Sequence, residues 1–131
     1  MADYVSTFAL LKAFFATLGQ TSVFRQPPSN MTLIVPLLVI ARIGGNDRVI
    51  TLDTARVAID AYASDEDSAE ALGETVRTAM RTKARRFMYG GAVIGDVATF
   101  SAPQLLPWAA PNVFKVGASY QLVVHQYSGV S

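Results

Sequence analysis

At 131 residues, the chain can bury one real hydrophobic core and has little room for a second domain. Half of it is hydrophobic (51%) and only 16% is charged, against roughly a quarter in a typical soluble domain. The absence of cysteine excludes a disulfide framework, a thiolate nucleophile and a thiolate metal site, and a net charge of +1 gives no global attraction to nucleic acid.

Residues 3–18 read as a helix, with Tyr4, Phe8, Leu11, Phe15 and Leu18 recurring at three- and four-residue steps and Leu10 and Phe14 widening the stripe. Asp3 suits the positive end of that helix, and Gly19 its C-terminal cap. Thr21 to Asn30 is a connector broken by Pro27-Pro28. Pro36 cannot donate to a sheet ladder, so it opens a strand at 37–43 that is apolar on both faces. Gly44-Gly45-Asn46-Asp47 then reads as a turn.

A second strand covers 48–62, with Ala55, Val57, Ile59 and Ala61 on one face and Arg56, Asp60 and Tyr62 on the other. Ser64 is the expected N-cap of a helix over 65–87, with Asp67 completing a capping box. Its core stripe is Ala69, Leu72, Val76, Met80, Ala84 and Phe87, with Glu70, Glu74, Arg77, Arg81 and Arg85 opposite. Gly90-Gly91 reads as the stop of that element. Two more strands are expected at 93–100 and 116–127, the latter with Val116, Ala118, Tyr120, Leu122 and Val124 on one face. Between them, Pro103, Pro107 and Pro111 argue against regular structure. The expected fold is α+β: a small antiparallel or mixed β-sheet of about four strands with two helices packed on one face.

The surplus apolar surface calls for a membrane or for other subunits. The longest apolar run, 31–43, is interrupted by Thr32, Pro36 and Arg42 and falls short of the ~20 residues a spanning helix needs. The stretch Phe8–Leu18 follows an acid and contains Lys12, unlike a signal peptide. Subunit contact is therefore the expected sink.

No constellation for chemistry stands out. His125 is the one histidine and reads as a hydrogen-bonded strand residue, since neither a second metal ligand nor a nucleophile is spaced to meet it. Gly44-Gly45 and Gly90-Gly91 lack the spaced glycines and the Lys-Ser/Thr of a phosphate loop. No catalytic residue, cofactor or metal is expected. The helix over 65–87 opens with Asp65, Glu66, Asp67, Glu70 and Glu74 and continues with Arg77, Arg81, Lys83, Arg85 and Arg86. Complementarity to the helix dipole accounts for this first. Contact between the acidic end of one subunit and the basic end of the next is the second reading, and contact with DNA phosphates the third. Trp108 among prolines is either a plug over the sheet or the anchor of a docking arm.

Several features together carry a resemblance: an N-terminal helix, a Pro-started strand ending Arg42-Ile43-Gly44-Gly45, the strand Asp53–Tyr62, the Ala-rich helix opening Ser64-Asp65-Glu66-Asp67-Ser68-Ala69, and a closing β-hairpin with a Pro/Trp loop. In order, spacing and length the chain resembles the tail terminator proteins of bacteriophages with long non-contractile tails, in the form common among phages of actinobacteria. The resemblance implies a homo-oligomeric ring, a hexamer, assembled in the host cytoplasm and placed in the virion at the tail–neck junction. It would cap the tail tube, stop its polymerisation and offer the neck its attachment surface. Its partners would be the major tail tube protein and a neck or head-completion protein, with DNA passing through the lumen without sequence-specific binding and no membrane involved. Another neck or head-completion connector is the alternative, and a small ligand-binding α/β domain a more distant one. The residues expected at subunit or partner interfaces are Arg56, Asp60, Arg77, Arg81, Arg85 and Trp108.

Overall fold

In a computed structural model, which describes residues 6–49, 52–106 and 112–126, the elements are α1 (Thr7–Thr17), β1 (Val23–Phe24), α2 (Met31–Ile34), β2 (Leu37–Val49), β3 (Leu52–Ala63), α3 (Glu66–Thr82), β4 (Met88–Tyr89), β5 (Ala92–Leu106) and β6 (Phe114–Gln126). They form one six-stranded sheet in the order β1-β2-β3-β6-β5-β4. The four long strands are those expected from the sequence, and β1 and β4 add two residues at each margin. β1 runs parallel to β2, and all other pairs are antiparallel, so the sheet is mixed.

One face of this sheet carries the main core. Across β2, β3 and β6, Ile40, Ile59 and Ala118 lie side by side, as do Val57 with Tyr120 and Ala55 with Leu122. All are buried against Leu10, Leu11, Phe14 and Phe15 of α1 and Val76, Ala79 and Met80 of α3. Both long helices therefore cover the same face. Each fully buried side chain of this size contributes about 1.5–3 kcal/mol of transfer free energy. In α1 the stripe is centred on Leu10, Leu11, Phe14 and Phe15, while Phe8 is half-buried and Leu18 is at the margin. Asp3 and Tyr4 lie outside the described residues.

Helix ends follow local chemistry. Ser6 caps α1 by accepting from the Ala9 N–H at 3.1 Å. At the other end Gly19 takes φ +85, donating to Ala16 O at 3.1 Å while Gln20 donates to Phe15 O at 2.9 Å. That pair of bonds is a Schellman closure, and it needs a left-handed residue at Gly19.

Five local expectations are corrected. Gly44-Gly45-Asn46-Asp47 is no turn: all four residues continue β2, paired to 53–56 of β3. Ladder bonds override the local preference for a bend, and a register shift between Arg42 and Gly44 absorbs Ile43 as a bulge. The hairpin instead closes between Val49 and Leu52. The α3 cap is Asp65 rather than Ser64, because β3 runs to Ala63 and Ser64 is spent in leaving the sheet. The Asp65 carboxylate accepts from Ser68 N at 2.8 Å and from Ser68 Oγ at 2.9 Å.

Helix α3 ends at Thr82, not at 87. Beyond it Arg86 adopts φ +70 and donates to Ile94 O at 2.7 Å, and the Ile94 N–H returns to Phe87 O at 3.0 Å. Gly90 and Gly91, with φ +59 and +89, form the two-residue turn between β4 and β5 and do not stop the helix. Positive φ at both positions is what a twisted tight hairpin requires. Finally, Pro103 lies inside β5, at a register shift between Ser101 and Gln104 where the ladder does not need its N–H.

Candidate functional site

Among the described residues, no long helix lies on the second face of the sheet. At one end it is covered by α2 and by Val113, which pack with Met31, Leu37, Val39 and Tyr62 into a small cluster. The rest carries a row of polar side chains. Arg56 of β3 lies directly across from Gln121 of β6, its Nη2 donating to Gln121 Oε1 at 3.3 Å. Its guanidinium stacks over Phe100 at 4.0 Å. Arg56 Nε is buried and has no hydrogen-bond partner among the described residues.

Four residues along β3, Asp60 faces Gly117 of β6 and pairs with Lys115 at 3.6 Å. Burial raises the Asp60 carboxyl above its ordinary value of 3.8, and the Lys115 cation only partly opposes this. The absence of a side chain at 117 makes the arrangement possible. A Cβ there would lie 2.8 Å from Asp60 Oδ1 and collide with Leu106 Cδ1. Beside this pair a 170 Å³ cavity is lined by Ala58, Ser101, Gln104 and Ser119.

Of the residues expected at interfaces, Arg56 and Asp60 thus share one face. Arg77, Arg81 and Arg85 belong to α3 and its tail, on the opposite side of the sheet. Arg77 stands 3.9 Å from Glu74, Arg85 reaches across to Asp96 of β5 at 2.9 Å, and Arg81 is exposed. Trp108 lies outside the described residues. Arg77 also sits near the Tyr120 hydroxyl, which is buried without a hydrogen-bond partner among the described residues. Burial pushes that phenol up to about 12.

Sequence reasoning missed Phe100, Lys115 and Gln121. The alternation of β6 places Lys115 and Gln121 opposite its apolar set, so their face was readable. Their partners were not, because cross-strand register depends on bulges that leave no sequence mark. His125 sits in β6 with its ring against Gly95, where a Cβ would meet Nε2 at 2.6 Å. Among the described residues no three metal-ligating side chains converge, and no helix is long and apolar enough to cross a membrane. A 590 Å³ cavity lies between Thr17 of α1 with its cap Leu18 and Glu74, Thr75 and Thr78 of α3 with its cap Lys83.

No protein-family model matches the chain, and no curated protein matches its sequence. Its fold is similar to that of a chain in a solved structure described as the virion of a native gene transfer agent particle, with a TM-score of 0.55 over 91% of this chain and 87% of that one, at 10% identity.

Proposed function

We propose that this protein is a structural component of a phage-type virion, and within that class a tail terminator. The observation that carries the reading is the fold shared with a virion chain over nearly the whole length of both molecules. The resemblance read from the sequence supplies the finer role. Copies of the chain would join head to tail into a ring, a hexamer, that seats on the last ring of the tail tube, stops its growth and presents the neck with a surface. DNA would cross the lumen without base recognition.

Charge distribution supports such a ring. The first turns of α3 expose Asp65, Glu66, Asp67, Glu70 and Glu74, and its far end exposes Arg81, Lys83, Arg85 and Arg86. Opposite poles on one molecule let the acidic end of one copy meet the basic end of the next, as a head-to-tail ring allows. Because Arg85 is already engaged with Asp96, Arg81 is the better candidate for contact between copies. Light scattering with electron microscopy tests the oligomer, and tube length with and without the protein tests capping. The expected results are closed rings and shortened tubes. A chain that stays monomeric at high concentration and leaves tube length unchanged would overturn the reading. Charge reversal at Arg81 is expected to impair assembly more than folding.

A further inference from the structure

The sheet has two long open edges. Among the described residues β1 covers β2 only at Leu38 and Val39, so no strand among them flanks β2 on that side beyond Val39. β4 covers β5 only at Ala92 and Val93, and no strand among the described residues flanks β5 from Asp96 onward. Such edges pair readily with another chain unless they are blunted. Of the large apolar side chains left exposed, Ile43 lies on the β2 edge strand, Phe100 and Leu105 on β5, and Met88 and Tyr89 on β4.

The backbone at the two edges is complementary. Leu38 donates its N–H to Ser22 O at 2.9 Å, away from β3. Alternation then turns the N–H and C=O of Ile40 toward the same open edge. On β5, Ile94 exchanges bonds with Arg86 and Phe87, so its pairing with Val124 of β6 is a non-hydrogen-bonded one. Counting on through the register shift after Ile94, Asp96 and Ala98 bond to β6, and Val97 and Thr99 face outward. Val97 and Ile40 have their side chains in the main core, and Thr99 lies opposite core residue Tyr120. Both edges therefore present outward-facing backbone at residues whose side chains belong to the helix-covered face. Joining them continues that face from one copy into the next without a flip.

Strand direction agrees. From β2 through β3 and β6 to β5 each step is antiparallel, so β5 runs opposite to β2. Copies repeated around an axis along the strands would make an antiparallel junction, the more stable kind. Arg42 is already paired with Asp53 at 2.7 Å and Asp96 with Arg85 at 2.9 Å, so backbone, not charge, carries this junction. The 440 Å³ groove along the β2 edge, lined by Ser6, Phe8, Arg25, Ile40 and Ala41, leaves space for an incoming strand.

We infer that a second copy of this chain docks here: the β5 edge of one protomer adds to the β2 edge of the next, with Thr99 opposite Ile40 and Ala98 opposite Ala41. The inference rests on the ring proposed above and names the contact that builds it. Ala41 and Ala98 are both exposed and would form a non-hydrogen-bonded pair, whose Cα separation of about 4.5 Å falls within the span of a disulfide. The chain has no cysteine, so an Ala41→Cys/Ala98→Cys variant reports this contact alone.

After mild oxidation the double variant is expected to give a ladder of covalent species ending at the copy number of the ring, and each single variant is expected to give none. Covalent dimers from Ala41→Cys or Ala98→Cys alone would overturn the head-to-tail pairing in favour of like edges. Rings by light scattering without a ladder would overturn the edge contact and leave the ring standing. Monomers at all concentrations would overturn both. Thr99→Pro removes an N–H that faces away from β6, so it is expected to weaken assembly about tenfold while the thermal unfolding transition persists. Wild-type assembly of a folded Thr99→Pro protein would also overturn the inference.

Discussion

The two faces of the sheet solve the burial problem in different ways. The helix-covered face is almost purely aliphatic, with Val57, Ile59, Leu122 and Val124 locked under α1 and α3. The other face is covered at one end by a four-residue helix and Val113, and elsewhere Arg56 is held by Gln121 and Phe100 and Asp60 by Lys115. The first face needs a cover to be stable, because removing apolar area from water supplies its free energy. The second can stand in solvent or meet a partner, because most of its polar groups have local partners, Arg56 Nε being an exception.

Four measurements would break or sharpen that contrast. The largest effect is expected from Leu122→Ala on the covered face, which should lower unfolding stability by about 2–5 kcal/mol in denaturant titration. Ala58→Ser on the other face should stay within about 0.5 kcal/mol of wild type. A similar loss at both positions would erase the distinction between the faces.

Gly73 tests how tightly α3 is held to the sheet. A Cβ at Gly73 would lie 2.7 Å from Val116 Cγ1 and 3.4 Å from Pro103 Cβ. Alanine gains about 1 kcal/mol of helix propensity, but overpacking a stiff β-branched neighbour costs about 1–3 kcal/mol. Gly73→Ala should therefore lose up to about 2 kcal/mol. Gly44→Ala, with nothing within 4 Å of its Cβ, should be tolerated. Thermal melts of the two variants side by side give the comparison.

Among the described residues, the covered side has two buried polar atoms without a hydrogen-bond partner, Arg77 Nε of α3 and the Tyr120 hydroxyl of the sheet. Tyr120→Phe removes a buried hydroxyl without a partner among the described residues, so stability should hold or rise by up to about 1 kcal/mol. In the wild-type protein this phenol should ionise near 12, above the ordinary value of 10.0, as spectrophotometric titration would show. A clear loss of stability in Tyr120→Phe would mean that the hydroxyl is bonded after all.

The smallest effects are in pH dependence, and they oppose each other. The Asp60 carboxyl titrates above its unfolded value of 3.8 because burial penalises the charge. The native state then binds more protons, so this stability is fully present below 3.8 and is lost as pH rises through the raised value. Asp65 titrates below 3.8, chiefly because it accepts the Ser68 backbone N–H and then the Ser68 hydroxyl. Its contribution is present above 3.8 and disappears as pH falls through the lowered value. Subtracting the stability profiles of Asp60→Asn and Asp65→Asn from wild type should give slopes of opposite sign. Slopes of one sign would refute the difference between the two environments.

Much of this fold was readable before any coordinates. Alternation in Ala55–Ala61 and Val116–Val124 marked the buried face of two strands, since side chains on a strand divide strictly between two sides. Gly19 announced the end of α1, because a left-handed residue is costly for anything else. Elsewhere local signals misled. Gly44-Gly45-Asn46-Asp47 has turn composition yet lies in a ladder, Gly90-Gly91 has the look of a helix stop yet turns a hairpin, and Pro103 sits in a strand. In each case the deciding partner is distant in sequence: 53–56 for the first, 94 for the tail that precedes the second, and 117 near the third.

The same division holds for the interface residues. Arg56 and Asp60 could be assigned to the sheet's outward side from periodicity alone, and the charge poles of α3 from composition. That Arg85 is engaged with Asp96, that Gly117 makes room for Asp60, and that β2 and β5 end up as the two open edges depended on strand order. By itself, then, the sequence determined the elements and their apolar faces, because period and capping are properties of a few neighbouring residues. The tertiary structure alone decided register, bulges and edges, because these follow from hydrogen bonds between segments that chain proximity does not relate.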